Sequence, residues 1–257
     1  MRDVNGLTGR TALVTGASRG IGRAIACRLA VKGAAVIVHF GTDEDGAAAT
    51  AEEIERAGGT AFTVRAELGV EDDVDTLFAG VEAALAGRSL DILVNNAATA
   101  PAGPIGTTTR EEFDRLFAVN VRAPYFIVQR ALSLLPDDGR IIAVSSVATR
   151  MANPSQTSFA MTKGAIETMT MTLANELGLR GITVNAVAPG ATRTATNGAS
   201  FEAPGLAELI AGTTALGRLG TPDDVADVVA FLASDAARWI TGQVIDASGG
   251  LFLGPRV

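Results

Sequence analysis

The chain has 257 residues, of which 47 % are hydrophobic and 19 % charged, with a formal net charge of −7. This length suits one large α/β domain or two small ones, and the even spread of apolar residues favours a single domain over residues 1–257. The acidic balance without a basic stripe argues against nucleic acid as a partner, and no apolar run reaches the roughly 18 to 20 residues that span a bilayer.

The chain begins with MRDVNGLTGR, which has neither the apolar region nor the cleavage site of a secretory signal. We therefore expect a cytoplasmic protein. Its only histidine, His39, lies in an apolar run, and its only cysteine, Cys27, lies in a helical pattern. With no other His or Cys to complete a cluster, the sequence predicts no metal site. His39 is expected to be a strand residue satisfied in place, and Cys27 a small residue that packs its helix.

Apolar runs alternate with amphipathic stretches over the first 190 residues. Strands are predicted at RTALVTG (10–16), AAVIVHF (34–40), TAFTVRA (60–66), LDILVNN (90–96), GRIIAVSS (139–146) and ITVNAVAPG (182–190). Helices are predicted between them at 21–32, 45–57, 72–85, 110–134 and 157–179. Strands that are apolar on both faces are typical of parallel sheets with helices on both sides. The sequence therefore predicts an α/β fold with a doubly wound parallel sheet.

The regular pattern lapses over 191–220, a stretch rich in Thr, Gly and Ala. Because it follows the carboxyl end of a strand, where open α/β sheets bind ligands, we expect a lid over a substrate. A further helix follows, with Thr221 as its N-cap and Pro222 at its first position. GQVIDASGG (242–250) adds the last of about seven strands.

The segment TGASRGIG (15–22) joins the first strand to the first helix. Gly16, Gly20 and Gly22 permit a turn without side-chain obstruction, so that a pyrophosphate can approach backbone N–H groups and the positive end of the helix dipole. No Lys-Ser/Thr follows the last glycine, which argues against the phosphate loop of nucleotide triphosphatases. The turn is therefore predicted to bind a dinucleotide.

Several landmarks extend this pattern over nearly the whole chain: NNAA (95–98), Asn120, Ser145-Ser146, Lys163, APG (188–190) and the closing GQVIDASGG. With these motifs in order, the sequence resembles the short-chain dehydrogenases/reductases, in particular bacterial 3-oxoacyl-carrier-protein reductases and their relatives in specialised metabolism. The resemblance implies a single Rossmann-type domain of seven strands, assembled as a homotetramer or homodimer, that transfers hydride from a nicotinamide cofactor. The long helices at 110–134 and 157–179 are the expected contact faces between subunits.

The residues after the second strand favour NADPH over NADH. In NAD-preferring relatives an acidic residue holds the ribose 2′-OH there, and a carboxylate would repel a 2′-phosphate. This chain has Phe40, Gly41 and Thr42 at that place, while Arg19 supplies a cation suited to a phosphate. Asp43 and Glu44 follow directly, and their carboxylates are the features that argue against NADPH.

The resemblance also implies the other residues around the cofactor. Asn95 and Ala97 would line the adenosine, Glu67 stands where an aspartate usually contacts adenine, and Thr194 would reach the carboxamide or phosphates. The remaining cofactor-binding candidates are Ser18, Ile21, Lys163, Pro189, Gly190 and Thr192.

By resemblance, the catalytic group of this family is Asn120, Ser146, Lys163 and a tyrosine four residues before the lysine. Here that tyrosine is replaced by Phe159, which shares a helix face with Lys163 but has no proton to donate. Losing a general acid costs about 10² to 10⁴ in rate. The only tyrosine, Tyr125, is expected to face away from the site and to serve packing.

Three interpretations follow. The substrate is an iminium ion, for instance one formed from a hemiaminal, and needs no proton after hydride transfer. Alternatively, it is a ketone, and Ser146 or a water replaces the lost tyrosine as proton donor. In the third, the protein binds NADPH without turnover. The segments 100–106 and 191–216 are expected to line the pocket, and their small, apolar residues favour a bulky apolar substrate.

Overall fold

A computed structural model describes residues 6–99, 103–194, 201 and 203–253. Seven parallel strands form one sheet in the order β3-β2-β1-β4-β5-β6-β7. Their bounds are β1 Thr11–Val14, β2 Ala35–Phe40, β3 Thr60–Arg65, β4 Ile92–Asn95, β5 Arg140–Val144, β6 Thr183–Pro189 and β7 Val244–Ala247. The predicted doubly wound sheet is confirmed, and its strand order reverses between β1 and β4, the switch point where such sheets bind ligands.

Helices cover both faces of the sheet. Their bounds are α1 Gly20–Val31, α2 Glu44–Arg56, α3 Asp73–Leu85, α4 Arg110–Phe117, α5 Ala123–Ala131, α6 Thr157–Leu177, α7 Leu206–Thr213 and α8 Pro222–Ala233. One buried cluster joins α1, α2 and α8 to the sheet, and a second joins α3, α5 and α6 to the opposite face. Adjacent strand residues alternate between these clusters: Val14 belongs to the first and Leu13 to the second.

The predicted helix at 110–134 runs without a break from 110 to 131 but is not α-helical throughout. α4 ends at Phe117, a π-helical turn spans Ala118–Arg122, and α5 then runs to Ala131. The predicted helix is thus confirmed over 110–131, and hydrophobic periodicity does not reveal the extra residue that the π turn holds. Asn120 lies inside this turn, 2 % exposed.

The stretch 191–220 is more regular than expected, since it contains the two-turn helix α7. Its residues 195–200 and 202 lie outside the described part of the chain. The helix that follows begins as predicted: Thr221 and Asp224 form a reciprocal capping box, and Pro222 occupies the first position of α8. None of the helices in the described ranges has the length and apolar character that crossing a bilayer takes.

Candidate active site

The glycine turn lies at the carboxyl end of β1 and leads into α1. Gly16 and Gly20 have φ angles of 65° and 57°, in the left-handed region that favours glycine. A Cβ on Gly22 would lie 2.1 Å from the Gly16 carbonyl oxygen, so only hydrogen fits there. The backbone is therefore closely packed where α1 begins, and the N-terminus of a helix is a favourable place for a pyrophosphate.

Thr15 and Asn96, which are not among the predicted site residues, connect this turn to the end of β4 through hydrogen bonds. The Thr15 hydroxyl accepts hydrogen bonds from the backbone N–H groups of Asn96 (2.9 Å) and Ala97 (3.0 Å). The Asn96 side-chain amide donates to the carbonyl oxygens of Thr15 (2.8 Å) and Gly16 (3.1 Å). Both residues belong to motifs quoted above, but their roles emerge only where the two strand ends meet.

His39 holds the same turn from β2. The Gly16 N–H donates to His39 Nδ1 (3.1 Å), and His39 Nε2 lies 2.9 Å from the Ala66 carbonyl oxygen. An unprotonated Nδ1 and a protonated Nε2 satisfy both contacts, so the ring is neutral. Burial lowers the pKa of His39 to about 4. The expectation that His39 is satisfied in place is confirmed, with partners after β1 and β3.

The residues expected to select the cofactor cluster at the carboxyl end of β2. Phe40 is buried at the strand end, and Gly41 and Thr42 lead to Asp43, whose carboxylate caps α2 by accepting from the Gly46 N–H (3.1 Å). The Arg19 side chain is 63 % exposed and lies 3.9 Å from Asp43. Such an exposed pair is weak, so Arg19 can exchange it for another anion.

On the expected adenosine side, Asn95 is 6 % exposed at the end of β4. Neither its side-chain oxygen nor its nitrogen has a hydrogen-bond partner among the described residues. Buried amides are normally paired, so these atoms suit an additional polar group. Ala97 packs closely against the glycine turn, with its Cα 2.9 Å from where a Gly16 Cβ would lie. Glu67 is half exposed and pairs with Arg115 of α4 at 3.2 Å.

Lys163 lies on α6 and is buried against the end of β5. Its ammonium donates to the Val144 carbonyl oxygen at 2.8 Å and lies 5.5 Å from the centroid of the Phe159 ring. The predicted common helix face of these two residues is therefore confirmed. Burial lowers the pKa of Lys163 from its ordinary value of 10.5 to about 8.

Asn120 and Ser146 each accept a hydrogen bond from a backbone N–H group. Asn120 Oδ1 accepts from the Thr99 N–H at 2.9 Å, and its Nδ2 lies 3.3 Å from the Thr162 hydroxyl. Ser146 follows β5, and its Oγ accepts from the Ala148 N–H at 3.1 Å. That contact uses the oxygen of Ser146 and leaves the hydroxyl hydrogen available to a substrate oxygen.

Tyr125 does not replace the missing phenol. It lies on α5 beyond the π turn, is 51 % exposed and makes an edge-to-face contact with Phe126. The expectation that it faces away from the site is supported by this exposure. The expectation that it serves packing was wrong, because its ring lies at the surface rather than in either core cluster.

The loop after β6 approaches the glycine turn from the other side. A Cβ on Gly20 would lie 3.5 Å from Thr194 Cγ2, so Thr194 borders the turn. Pro189 ends β6, Gly190 packs against Ser248, and Thr192 forms a β-bridge with Gly220. Thr194 is thus brought next to the glycine turn, which also contains Ser18 and Ile21.

A cavity of about 310 Å³ opens between the loop after β4, α4 and the start of α6. Its apolar lining residues include Ile105, Phe113 and Met161. The pocket segment 100–106 reaches this cavity through Gly103 and Ile105, whereas residues 100–102 lie outside the described ranges. Within those ranges no group of three His, Cys, Asp or Glu side chains could hold a metal ion.

Comparison with known proteins adds to this geometry. A family model described as Enoyl-(Acyl carrier protein) reductase matches residues 16–252. Versicolorin reductase of Emericella nidulans is 40 % identical, over 96 % of this chain and 97 % of its own. The solved angucycline C-6 ketoreductase LanV with bound NADP is 55 % identical, with a TM-score of 0.93, covering 97 % of this chain and 98 % of that one. A solved short-chain dehydrogenase/reductase from Serratia marcescens is 35 % identical, with a TM-score of 0.90, covering 96 % and 99 %.

Proposed function

Because the chain belongs to the short-chain dehydrogenase/reductase family, we propose that it is an NADPH-dependent reductase that delivers hydride to a ketone of a bulky, largely apolar substrate. One observation carries the unusual part of this proposal: the Lys163 ammonium lies 5.5 Å from the ring of Phe159, a residue that has no acidic hydrogen. The proton that the product oxygen needs must then come from another source.

The residues present fit the cofactor. The glycine turn excludes side chains where a pyrophosphate would lie, and the buried Asn95 amide has polar atoms without partners in the described chain. Arg19 can leave its weak pair with Asp43 to bind a 2′-phosphate. Lys163 would hold the nicotinamide ribose. NADPH, when bound, supplies the hydride.

The ketone assignment rests on relatives. LanV is named as a ketoreductase and is 55 % identical over nearly the whole chain, and versicolorin reductase is a second reductase relative. Ser146 would orient the carbonyl through its hydroxyl hydrogen, while the Ala148 N–H polarises its oxygen. Hydride then adds to the carbonyl carbon, and the oxygen takes its proton from a water, either directly or through Ser146, which the water reprotonates.

A second candidate substrate is an iminium ion, and Phe159 is the observation that favours it. Addition of hydride to C=N⁺ gives a neutral amine with no oxygen to protonate, so the absence of the phenol does not slow the reaction. The Lys163 ammonium opposes a cationic substrate in a dry pocket. However, burial lowers the pKa of Lys163 to about 8, so that this repulsion weakens as pH rises through that value.

The test is the Phe159→Tyr substitution, assayed with ketones and cyclic iminium compounds by following loss of NADPH. For a ketone we expect turnover to rise by about 10² to 10⁴, the usual worth of a general acid. For an iminium we expect almost no change. Phe126→Tyr, at a half-exposed position on α5, is the matched control. A bound ketone whose turnover does not rise in F159Y contradicts the ketone proposal, and wild-type protein that binds NADPH but reduces nothing supports the non-catalytic alternative.

The remaining expectations stay proposals. The stretch 191–220, with α7 inside it, would act as a lid over the substrate within a single domain of residues 1–257. A homotetramer or homodimer would form through faces that include α5 and α6, and the protein would work in the cytoplasm. Light scattering of the purified chain tests the assembly.

A further inference from the structure

Glu167 lies on α6, one helical turn beyond Lys163, and has no part in the reaction outlined above. Its Oε1 accepts hydrogen bonds from two hydroxyl groups, Ser145 Oγ at 2.7 Å and Thr149 Oγ1 at 3.0 Å. Ser145 is 3 % exposed. These two donors stand on either side of Ser146 in the chain, so that one carboxylate holds both ends of the segment that carries the carbonyl-orienting serine.

Backbone hydrogen bonds also hold the two ends of this segment: the Ser145 N–H donates to the Val187 carbonyl oxygen (2.7 Å) and the Arg150 N–H to the Val147 carbonyl oxygen (2.8 Å). Ser146 has extended backbone angles and caps the short 3₁₀ turn Val147–Thr149. Thr149 Oγ1 also lies 3.1 Å from the Ser146 carbonyl oxygen, so its hydrogen is shared between that oxygen and Glu167. Just upstream, Lys163 holds the Val144 carbonyl oxygen. α6 thus contacts this strand end through Lys163 at Val144 and through Glu167 at Ser145 and Thr149.

We propose that Glu167 is a positioning residue, which directs the Ser146 hydroxyl toward the substrate by fixing the backbone on both sides of it. This proposal rests on the reductase function proposed above. The Glu167 carboxylate accepts the Ser145 hydrogen and shares the Thr149 hydrogen with the Ser146 carbonyl oxygen. An apolar residue at 167 would leave the buried Ser145 hydroxyl without this acceptor and would detach Thr149 from α6. The turn would then relax, and a displacement of about 1 Å at a reacting group can cost about 10²-fold in rate.

Three variants separate positioning from general stability. Glu167→Leu should lower kcat by about tenfold to a hundredfold, while the dissociation constant for NADPH, which is bound through other residues, stays unchanged. Glu167→Gln keeps a side-chain oxygen acceptor and should restore most of the activity. Glu176→Leu, at an exposed position on the same helix, is the matched control and should leave kcat unaltered.

A double-mutant cycle with Ser146→Ala gives the decisive comparison. If Glu167 acts through Ser146, E167L costs nothing more in the S146A background. Amide hydrogen exchange provides a readout without turnover: E167L should raise exchange across residues 145–151 and leave residues 16–22 unchanged. An equal loss of kcat in both backgrounds, or unaltered exchange at 145–151, overturns the proposal. If the wild-type protein reduces no substrate, the reductase function fails, and the exchange measurement alone decides whether Glu167 fixes this segment.

Discussion

Replacing Lys163 by Met should stabilise the cofactor-free protein near neutral pH, although it removes a residue proposed for catalysis. The ammonium is fully buried with one hydrogen bond, to the Val144 carbonyl oxygen. Burial lowers its pKa from 10.5 to about 8, and holding the charged form therefore costs the fold about 3 kcal/mol. Met has similar length and no charge. The Val144 oxygen loses its hydrogen-bond donor in this variant, and this loss reduces the gain in stability by about 1 to 3 kcal/mol.

The dependence on pH separates these two contributions. Between pH 8 and 10.5 the unfolded chain binds the Lys163 proton more tightly than the folded protein does, so stability rises with pH in this window. From pH 7 to pH 9.5 the wild-type free energy of unfolding should gain about 2 kcal/mol from this residue. Lys163→Met lacks that gain. The unpaired Val144 oxygen does not titrate, so its cost cancels from the comparison.

Urea unfolding of both proteins without cofactor, at about pH 7 and about pH 9.5, measures the difference. Lys32→Met removes the only other lysine of the sequence, at an exposed position, and should follow the wild-type curve. If the free energies of unfolding of wild type and K163M differ by the same amount at both pH values, burial of the ammonium does not destabilise the fold and the reasoning is wrong.

Two further predictions concern the nucleotide end of the site. Arg19→Ala should raise KM for NADPH by about tenfold to a hundredfold, the usual worth of a charge-assisted hydrogen bond, and leave KM for NADH unchanged. Initial rates with both cofactors check this, and an equal effect on the two would show that Arg19 does not contact the 2′-phosphate. Wild-type stability should fall by up to about 3 kcal/mol as pH falls from 6.5 to 4, because the unfolded chain protonates His39 before the folded protein does. His39→Gln, followed by urea unfolding across that range, should lose this dependence, and an unchanged pH profile would contradict it.

The sequence allowed prediction of those features that local chemistry determines. The parallel strands, the glycine turn and the Thr221 cap each follow from a short pattern, and Phe159 and Lys163 share a face because four residues make about one helical turn.

Other features depend on contacts between distant segments. Glu167 looks like any polar residue on a helix until the end of β5 lies against it. Likewise, Thr15 and Asn96 belong to different motifs, and only the pairing of β1 with β4 brings them together. The π turn escaped prediction because its sequence, AVNVR, has the composition of many helix segments, and composition does not show that the turn holds one extra residue.

That extra residue makes the site sensitive to chain length. A π turn is equivalent to a single insertion in an α-helix, so deleting one residue within Ala118–Arg122 would let α4 and α5 merge into a regular helix. The two halves would then be rotated by about 100° relative to one another. Either the buried Leu116 or the buried Ile127 would have to leave its neighbours, and Asn120 would lose its alignment with Thr99. Within this turn, a deletion of one residue should therefore disrupt the site far more than a substitution.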